Sequence, residues 1–254
     1  MIDLESALHD QLIALADDEL ILGHRDSEWC GHAPILEEDI AFANLALDEF
    51  GHARVWYGLA AGLCGADKDI YPDQMVFRRE TPDFRCSQMV ELPNGDWAFS
   101  MLRQYFFDAA EAVRLVGLRA SQYAPLADAA AKIQKEELYH YRHTHDWVER
   151  LGLGTEESHR RMQSALEQLW PYTFQVWAPL PAESLLVAAG YYPPSQSLKQ
   201  EWREKVLPVL KTAQLTVPES DSQAAPSRGE HTSYLEILVG DIQSQVRLEP
   251  EAEW

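Results

Sequence analysis

The sequence predicts an all-α protein: two long antiparallel helical hairpins, joined by a crossover, form a four-helix bundle with additional C-terminal helices. Apolar residues recur with the helical period nearly throughout the chain. No strand-like alternation competes with that period, and no repeat of fixed length is found beyond a twofold echo of one short motif. With 254 residues, of which 46% are hydrophobic, the chain can bury the core of a single domain spanning residues 1–254.

The charge of the chain limits its partners. It has 41 Asp and Glu against 21 Lys and Arg, a formal net charge of −20. Because such a surface repels phosphate backbones and anionic lipid, we expect neither nucleic acid nor a membrane as a partner. The first residues lack the basic start and apolar run of a signal peptide, and the sequence contains no long apolar stretch, so the expected location is cytoplasmic.

The cysteine pattern argues against a disulfide framework. Cys30, Cys64 and Cys86 are an odd number and show no paired CxxC spacing. We therefore expect buried free thiols.

The first predicted hairpin contains two helices and leads into a long connection. One helix covers residues 3–30, with Gly31 as its C-terminal cap. The second begins near Pro34, which fits a first helical position, and continues to about Cys64. Residues 65–95 lose the helical period and contain several prolines and glycines, which predicts the crossover.

The second predicted hairpin completes the core bundle, which spans residues 3–152. Asp96 caps a helix that runs to about Ser121. The following helix begins at Pro125 and ends at Gly152, which we interpret as a cap.

The appended C-terminal region, residues 155–254, is predicted to be mainly helical. Thr155 opens an amphipathic helix that continues to about Trp170. The remaining expectations are a connecting segment at 179–196, a helix at 197–215 kinked at Pro208, a polar loose segment at 217–230, and a last helix at 232–247.

Two Glu-x-x-His motifs, Glu49 to His52 and Glu137 to His140, lie on the apolar stripes of the second and fourth helices. Residues three apart on a helix share a face, so each pair can direct a carboxylate and an imidazole at one metal ion. The motif alone is weak, since 24 Glu and 9 His predict roughly one match by chance. A third match, Glu156 to His159, is interpreted as a helix start on a solvated face.

Two further acids strengthen the prediction. Glu19 and Glu111 each interrupt an otherwise apolar stripe, on the first and third helices. Two residues on antiparallel helices lie at the same height along the bundle when the turn falls midway between them in sequence. This holds approximately for Glu19 and Glu49 in the first hairpin and for Glu111 and Glu137 in the second. The predicted set matches the ligands of di-iron carboxylate bundles: Glu19, Glu49, His52, Glu111, Glu137 and His140.

The charge of the four glutamates favours a metal site over a chance occurrence of these residues on the apolar faces. Four ionised glutamates in an apolar bundle are strongly unfavourable, and two divalent cations neutralise them. Iron or manganese suits carboxylate and imidazole ligands better than zinc does. In such a set Glu49 and Glu137 would bridge the two ions as the reactive carboxylates. Each histidine would hold one ion, with Glu19 and Glu111 as terminal ligands. The alternative is an error in the register of the stripes, with some of these acids facing water and no metal bound.

Other polar residues are weaker candidates. His24, Cys30 and His32 are explained by turn polarity better than by a metal. Asp108 and Asp146 either orient the ligand imidazoles or are solvated acids. Three further aspartates are expected to be exposed: Asp17, Asp18 and Asp48. Two histidines are expected to be outer donors or surface residues: His143 and His145. Four tryptophans are expected in the core or at an interface: Trp29, Trp56, Trp97 and Trp147.

The sequence also resembles a known family, the C subunits of the bacterial phenylacetyl-CoA epoxidase, also called the ring 1,2-phenylacetyl-CoA oxygenase. The resemblance extends over nearly the whole chain. It rests on the segments EWCGHAP at 28–34, LPNG at 92–95, RQYF at 103–106 and WVERLG at 147–152, of which the first is the most specific.

This resemblance implies a ferritin-like bundle within a multicomponent monooxygenase that epoxidises the aromatic ring of phenylacetyl-CoA in phenylacetate catabolism. It implies the use of O2 and of electrons from an NADPH-dependent flavin and iron-sulfur reductase, and the implied partner is the catalytic di-iron A subunit. C subunits are regarded as structural because their metal ligands have been replaced. This sequence departs from that pattern because it has all six residues, which implies two iron ions in this chain.

Several expectations stay open at this point. The chain either contributes to catalysis within the complex, is a structural scaffold of the same complex without chemistry, or is a ferritin-like iron oxidase or peroxidase. We expect a homo-oligomer or hetero-oligomer. Because the chain is acidic, we expect its partner to hold most of the CoA moiety, with Arg78 and Arg79 in the crossover as local basic exceptions.

Overall fold

The computed structural model describes residues 2–219 and 227–249 and confirms the predicted all-α architecture. No strand occurs in those ranges. None of the described helices combines the length and apolar character that crossing a membrane requires. Ten α-helices are described: α1 Leu4–Ser27, α2 Leu36–Cys64, α3 Tyr71–Phe77, α4 Gln88–Glu91, α5 Trp97–Leu118, α6 Ala124–Gly152, α7 Glu156–Leu169, α8 Glu183–Ala188, α9 Ser195–Thr212 and α10 Ser233–Leu248.

Helices α1 and α2 form the first hairpin and pack against each other along their length. α1 begins after Asp3, whose side chain accepts a hydrogen bond from the Ser6 N–H at 2.8 Å. α2 begins after Ile35, so Pro34 lies in the turn rather than at the first helical position. At the other end of α2, Gly65 adopts a φ of 69° and caps the helix.

Helices α5 and α6 form the second hairpin. Asp96 caps α5 as predicted, accepting a hydrogen bond from the Phe99 N–H at 3.0 Å. α6 includes Gly152 as its last residue, so the predicted cap lies one residue inside the helix. A close approach explains the glycine, because a Cβ atom there would lie 2.6 Å from the carbonyl oxygen of Ala213 after α9.

The crossover contains short helices that the sequence pattern did not reveal. They are α3, a 3-10 helix at Thr81–Asp83, and α4. Elements of three to seven residues are too short to show a helical period. This explains why the segment is predicted only as a connection.

One ion pair and two backbone hydrogen bonds fasten the crossover to α1, and they overturn the prediction that Asp17 and Asp18 are exposed. Both residues are fully buried. Asp17 accepts hydrogen bonds from Arg79 at 3.0 Å and from the Arg85 N–H at 2.7 Å. Asp18 accepts one from the Ser87 N–H at 2.7 Å. These partners lie more than 60 residues away in sequence, so the local pattern could not indicate them.

Two helices of the C-terminal region pack on the second hairpin. α7 and α9 lie against α5, and the indole N–H of Trp202 donates to the Phe106 carbonyl at 3.0 Å. Thr155 caps α7 as predicted, accepting from the Ser158 N–H at 3.1 Å. α8 lies within the segment predicted to be a connection, and a 3-10 helix at Trp170–Trp177 follows α7. Of the predicted loose segment 217–230, residues 220–226 lie outside the described residues.

The thiols and tryptophans follow the sequence predictions only in part. Cys86 is buried, but Cys30 and Cys64 are exposed, so the prediction of buried thiols is wrong for these two. Trp56 lies in the main core. The other three candidate tryptophans are half-buried and pack around a small second cluster that includes Phe42, and they are Trp29, Trp97 and Trp147.

Gly152→Ala tests the close contact between α6 and the end of α9. The added methyl group meets backbone and Cβ atoms of Ala213, at 2.6 and 2.7 Å, which cannot move aside cheaply. We expect a loss of about 1–3 kcal/mol in the free energy of unfolding, measured by urea denaturation.

Gly58→Ala is the matched control, since nothing lies within 4 Å of its added Cβ and α2 is helical there. We expect this variant to gain about 0.5–1 kcal/mol. Equal stability of the two variants would contradict the packing described.

Candidate metal centre

One group of convergent ligand atoms lies between α1, α2 and α6. Glu19, Glu49, His52 and Glu137 each offer one oxygen or nitrogen atom, and these atoms all lie within 4.8 Å of one another. His52 Nδ1 is 3.4 Å from Glu137 Oε1 and 3.9 Å from Glu19 Oε2. All four residues are buried. The spacing allows a single cation to contact the four side chains together.

A second group shares Glu49 with the first. It consists of Glu49, Asp108 and His140, again with one atom from each within 4.8 Å of the others. His140 Nδ1 lies 3.1 Å from Glu137 Oε1 and 3.9 Å from Glu49 Oε1. Glu137 therefore contacts both imidazoles. The two groups form one continuous cluster, with Glu49 and Glu137 in its middle.

The structure does not bring Glu111 into either group. Its carboxylate forms a buried ion pair with Arg114 one turn further along α5. Asp108, predicted either to orient an imidazole or to be a solvated acid, occupies the α5 position in the cluster. The α5 to α6 connection spans residues 119–123. The sequence midpoint between Asp108 and Glu137 falls inside this connection, whereas the midpoint between Glu111 and Glu137 falls outside it. Asp108 therefore lies at the same height as Glu137 along the hairpin.

Several atoms of the cluster have no hydrogen-bond partner among the described residues. They are one oxygen each of Glu19, Glu49 and Glu137, and Nδ1 of His52. Leaving buried polar atoms unpaired is costly, and a cation would satisfy all of them. The donor set is carboxylate oxygen with two imidazole nitrogens, which suits iron or manganese. The residues present therefore fit a pair of divalent cations.

Comparison with known proteins identifies the family of the chain. The family model described as "Phenylacetic acid catabolic protein" matches residues 2–254. The chain belongs to this family. It is 35% identical to the C subunit of 1,2-phenylacetyl-CoA epoxidase from Escherichia coli (strain K12) over 243 residues, which covers 95% of this chain and 97% of that protein. It is also 26% identical to the A subunit of the same enzyme over 212 residues, 81% of this chain and 67% of that protein.

In this member of the phenylacetic acid catabolic family, each cluster imidazole is held from outside by an acid on the opposite helix. His52 Nε2 lies 2.9 Å from Glu136 Oε2, and His140 Nε2 lies 3.1 Å from Asp48 Oδ2. The acids immediately precede the central glutamates, Glu137 and Glu49. A carboxylate at Nε2 fixes the tautomer and directs Nδ1 inward, as in many metal sites.

The orienting residues differ from those expected. Asp48 is partly exposed, with 43% of its side chain accessible, but it is bound to His140 and is not simply solvated. Asp146 contacts His145 at 3.2 Å instead of a cluster imidazole. Glu136 was missed by sequence reasoning. The available signal was the shared pattern of an acid directly before each Glu-x-x-His motif.

Burial and mutual charge shape the protonation of the cluster. Burial raises the pKa of the Glu49 carboxyl, and neighbouring Glu19 and Glu137 raise it further. Burial opposes the charged form of the imidazoles. Nearby carboxylates outweigh it and raise the pKa of His52 to about 11 and that of His140 to about 10. The same contacts overcome burial at Glu137 and lower its pKa to about 2. The cluster thus attracts positive charge strongly.

The remaining candidates lie outside the cluster. Cys30 and His32 are exposed in the α1 to α2 turn, and His24 lines a surface cavity. Glu156 is exposed in the first turn of α7, as expected for a solvated helix start, whereas His159 is half-buried and its Nδ1 lies 2.8 Å from the Gly152 carbonyl oxygen. The three other candidates each contact acidic side chains outside the cluster. These contacts are His143 with Glu38, His145 with Asp146 and Glu149, and Arg79 with Asp17.

Asp108→Asn and Glu111→Gln distinguish the two acids of α5. We expect Asp108→Asn to lose one bound metal ion per chain, because it removes a charged ligand from the His140 side. Glu111→Gln is expected to keep the metal content of the wild type per folded chain, although it leaves Arg114 buried without its partner and lowers stability. Elemental analysis with circular dichroism checks both. The reverse pattern would assign the ligand role to Glu111.

Asp48→Ala tests the orientation of His140. Removing the carboxylate at Nε2 frees the ring to rotate, and we expect the affinity for the metal to fall about 10–100-fold. Calorimetric titration with Mn²⁺ measures the change. Asp146→Ala is the control, since the contact described for this aspartate is with the imidazole of His145, outside the cluster. An unchanged affinity in Asp48→Ala would show that packing alone holds the ring.

Proposed function

We propose that the chain is a component of a 1,2-phenylacetyl-CoA epoxidase and that it contains a dinuclear iron site. The observation that carries the proposal is the buried cluster of carboxylates and imidazoles in a chain of this family. Its relatives are subunits of that epoxidase. A protein used only as a scaffold has no need to bury these acids together, because burying unpaired carboxylates is costly.

The cluster divides into two halves around its central acids. Glu19 and His52 would hold one ion, and Asp108 and His140 the other. Glu49 and Glu137 lie between the imidazoles and would contact both ions. Two bound iron ions would supply the activation of O2 needed for aromatic monooxygenation.

The protein's own contribution is orientation and exclusion of water. Each of the six cluster residues is at most 2% exposed, so bulk water does not reach the ligand atoms. Glu136 and Asp48 orient the imidazoles, while Gln104 donates to Glu49 and Asp108 at 2.9 Å each. Fixed donors of this kind keep the ligands in place without reorganisation.

The substrate moiety and the electrons would come through other components of the complex. The net charge of −20 disfavours binding of an anionic CoA ester by this chain alone. Arg79, one of the two basic exceptions in the crossover, is engaged by Asp17. We therefore propose that the A subunit holds phenylacetyl-CoA and that an NADPH-dependent flavin and iron-sulfur reductase supplies electrons.

Glu49→Ala tests the proposal, because Glu49 belongs to both ligand groups. We expect about two iron ions per chain after iron-replete expression of the wild type, and almost none in the variant. Both proteins are expected to co-purify with the other epoxidase subunits, since Glu49 is buried away from any surface. Glu37→Ala, an exposed acid in the first turn of α2, is the control.

The outcomes separate the candidate functions. A metal-free wild type that still assembles with the other subunits would make the chain a structural scaffold of the complex. Iron binding and ferrous oxidation by the chain alone, without assembly, would favour an iron oxidase. Reduced epoxide formation by a complex containing Glu49→Ala would link the metal of this chain to turnover.

A further inference from the structure

Three side chains with metal-binding chemistry meet outside the bundle cluster. Cys86 and Glu91 lie in the crossover around α4, and His231 precedes α10. One atom from each lies within 4.8 Å of the other two. Cys86 and Glu91 are fully buried, and the His231 side chain is 8% exposed. The proposed epoxidase role does not use any of the three.

The orientation of His231 leaves one ring nitrogen for a cation. Its Nε2 lies 3.0 Å from the Phe84 carbonyl oxygen and donates to it. In a neutral imidazole Nδ1 is then an acceptor. Nδ1 faces Glu91 Oε1 at 2.7 Å, and an ionised carboxylate is also only an acceptor. A proton or a metal cation has to lie between these two atoms.

The carboxylate of Glu91 is held from its other side. Thr232 donates to Glu91 Oε2 twice, from its backbone N–H at 2.6 Å and from its hydroxyl at 2.7 Å. This fixes the carboxylate and leaves Oε1 directed at His231 and at Cys86. Hydrogen bonds that orient ligands from outside, to a backbone carbonyl for an imidazole and to donors for a carboxylate, are typical of metal sites.

The distances are close to those around a tetrahedral ion. The Cys86 sulfur lies 3.7 Å from Glu91 Oε1. Zinc bond lengths place a sulfur and an oxygen ligand about 3.6 Å apart, and a nitrogen and an oxygen ligand about 3.3 Å apart. The Nδ1 to Oε1 distance would have to open by roughly 0.6 Å.

We propose that Cys86, Glu91 and His231 form a mononuclear site for a divalent transition-metal cation of the zinc type. Thiolate, imidazole and carboxylate are the three ligand types that zinc uses in proteins, and three protein ligands leave the fourth position for water. Binding releases both the thiol proton and the proton shared by His231 Nδ1 and Glu91 Oε1 to solvent as the metal bonds form. The bound ion would join the crossover to the segment before α10.

The thiol makes this site chemically different from the bundle cluster. Burial raises the pKa of the Cys86 thiol, and Glu91, Asp17 and Asp18 raise it further, so the sulfur stays protonated until a cation binds. The bundle cluster contains oxygen and nitrogen ligands only. A probe that reports a metal–thiolate bond therefore distinguishes the two sites.

Titration of the metal-depleted full chain with Co²⁺ tests the proposal. We expect a thiolate-to-cobalt charge-transfer absorption in the near ultraviolet in both the wild type and Glu49→Ala. It should saturate at about one equivalent in Glu49→Ala, whose bundle cluster is disabled, and at up to about three equivalents in the wild type, whose bundle cluster also takes up Co²⁺. Excess Zn²⁺ should remove the absorption. It should be lost in Cys86→Ser and weakened at least tenfold in apparent affinity in His231→Ala. Cys30→Ser and Cys64→Ser are matched controls that should keep it.

The wild-type measurement alone can overturn the proposal, whatever the folding of the variants. A folded wild type without the thiolate absorption would make the trio a hydrogen-bonded cluster only. An absorption that survives in Cys86→Ser would place the cobalt at one of the exposed cysteines. The absorption is also measured in Glu49→Ala, whose bundle cluster is disabled. A missing thiolate absorption would therefore contradict the Cys86 site without contradicting the proposed iron site of the bundle.

Discussion

The need to neutralise buried carboxylates governs the interior of this protein. Acids buried on the bundle axis are strongly unfavourable unless positive charge or hydrogen-bond donors reach them. The chain meets this requirement in two ways. Arginine side chains and backbone N–H groups satisfy the acids near the crossover, such as Asp17 and Asp18. The acids at the bundle centre instead face one another and two imidazoles, with oxygens left unpaired.

A twofold arrangement follows from the two hairpins. Each hairpin supplies one acid from its first helix and a Glu-x-x-His pair from its second. The acid that precedes each central glutamate reaches across to the imidazole of the other hairpin. Since Asp48 holds His140 and Glu136 holds His52, neither half of the cluster is complete without the other. This couples the position of the ligands directly to the packing of α2 against α6.

The sequence predicted features that repeat along a helix and missed those that depend on distant partners. The four long helices, the caps at Asp96 and Thr155 and the inward position of Glu49 and Glu137 all follow from local pattern. The burial of Asp17 was not predictable, because its partner Arg79 is 62 residues away. The short helices of the crossover were missed because they contain too few residues to show a period.

The choice between Asp108 and Glu111 shows where pattern reasoning reaches its limit. The two acids lie one turn apart on α5, both are buried, and both fit the apolar stripe. What separates them is a cation from the same helix, since Arg114 pairs with Glu111 and leaves Asp108 to Gln104 and Thr144. Gln104 and Thr144 are neutral, and none of the ion pairs described for α5 involves Asp108. Asp108 also lies with Glu49 and His140 in one group of convergent atoms, which Glu111 does not join, and for these reasons we propose the side chain with the shorter reach as the ligand.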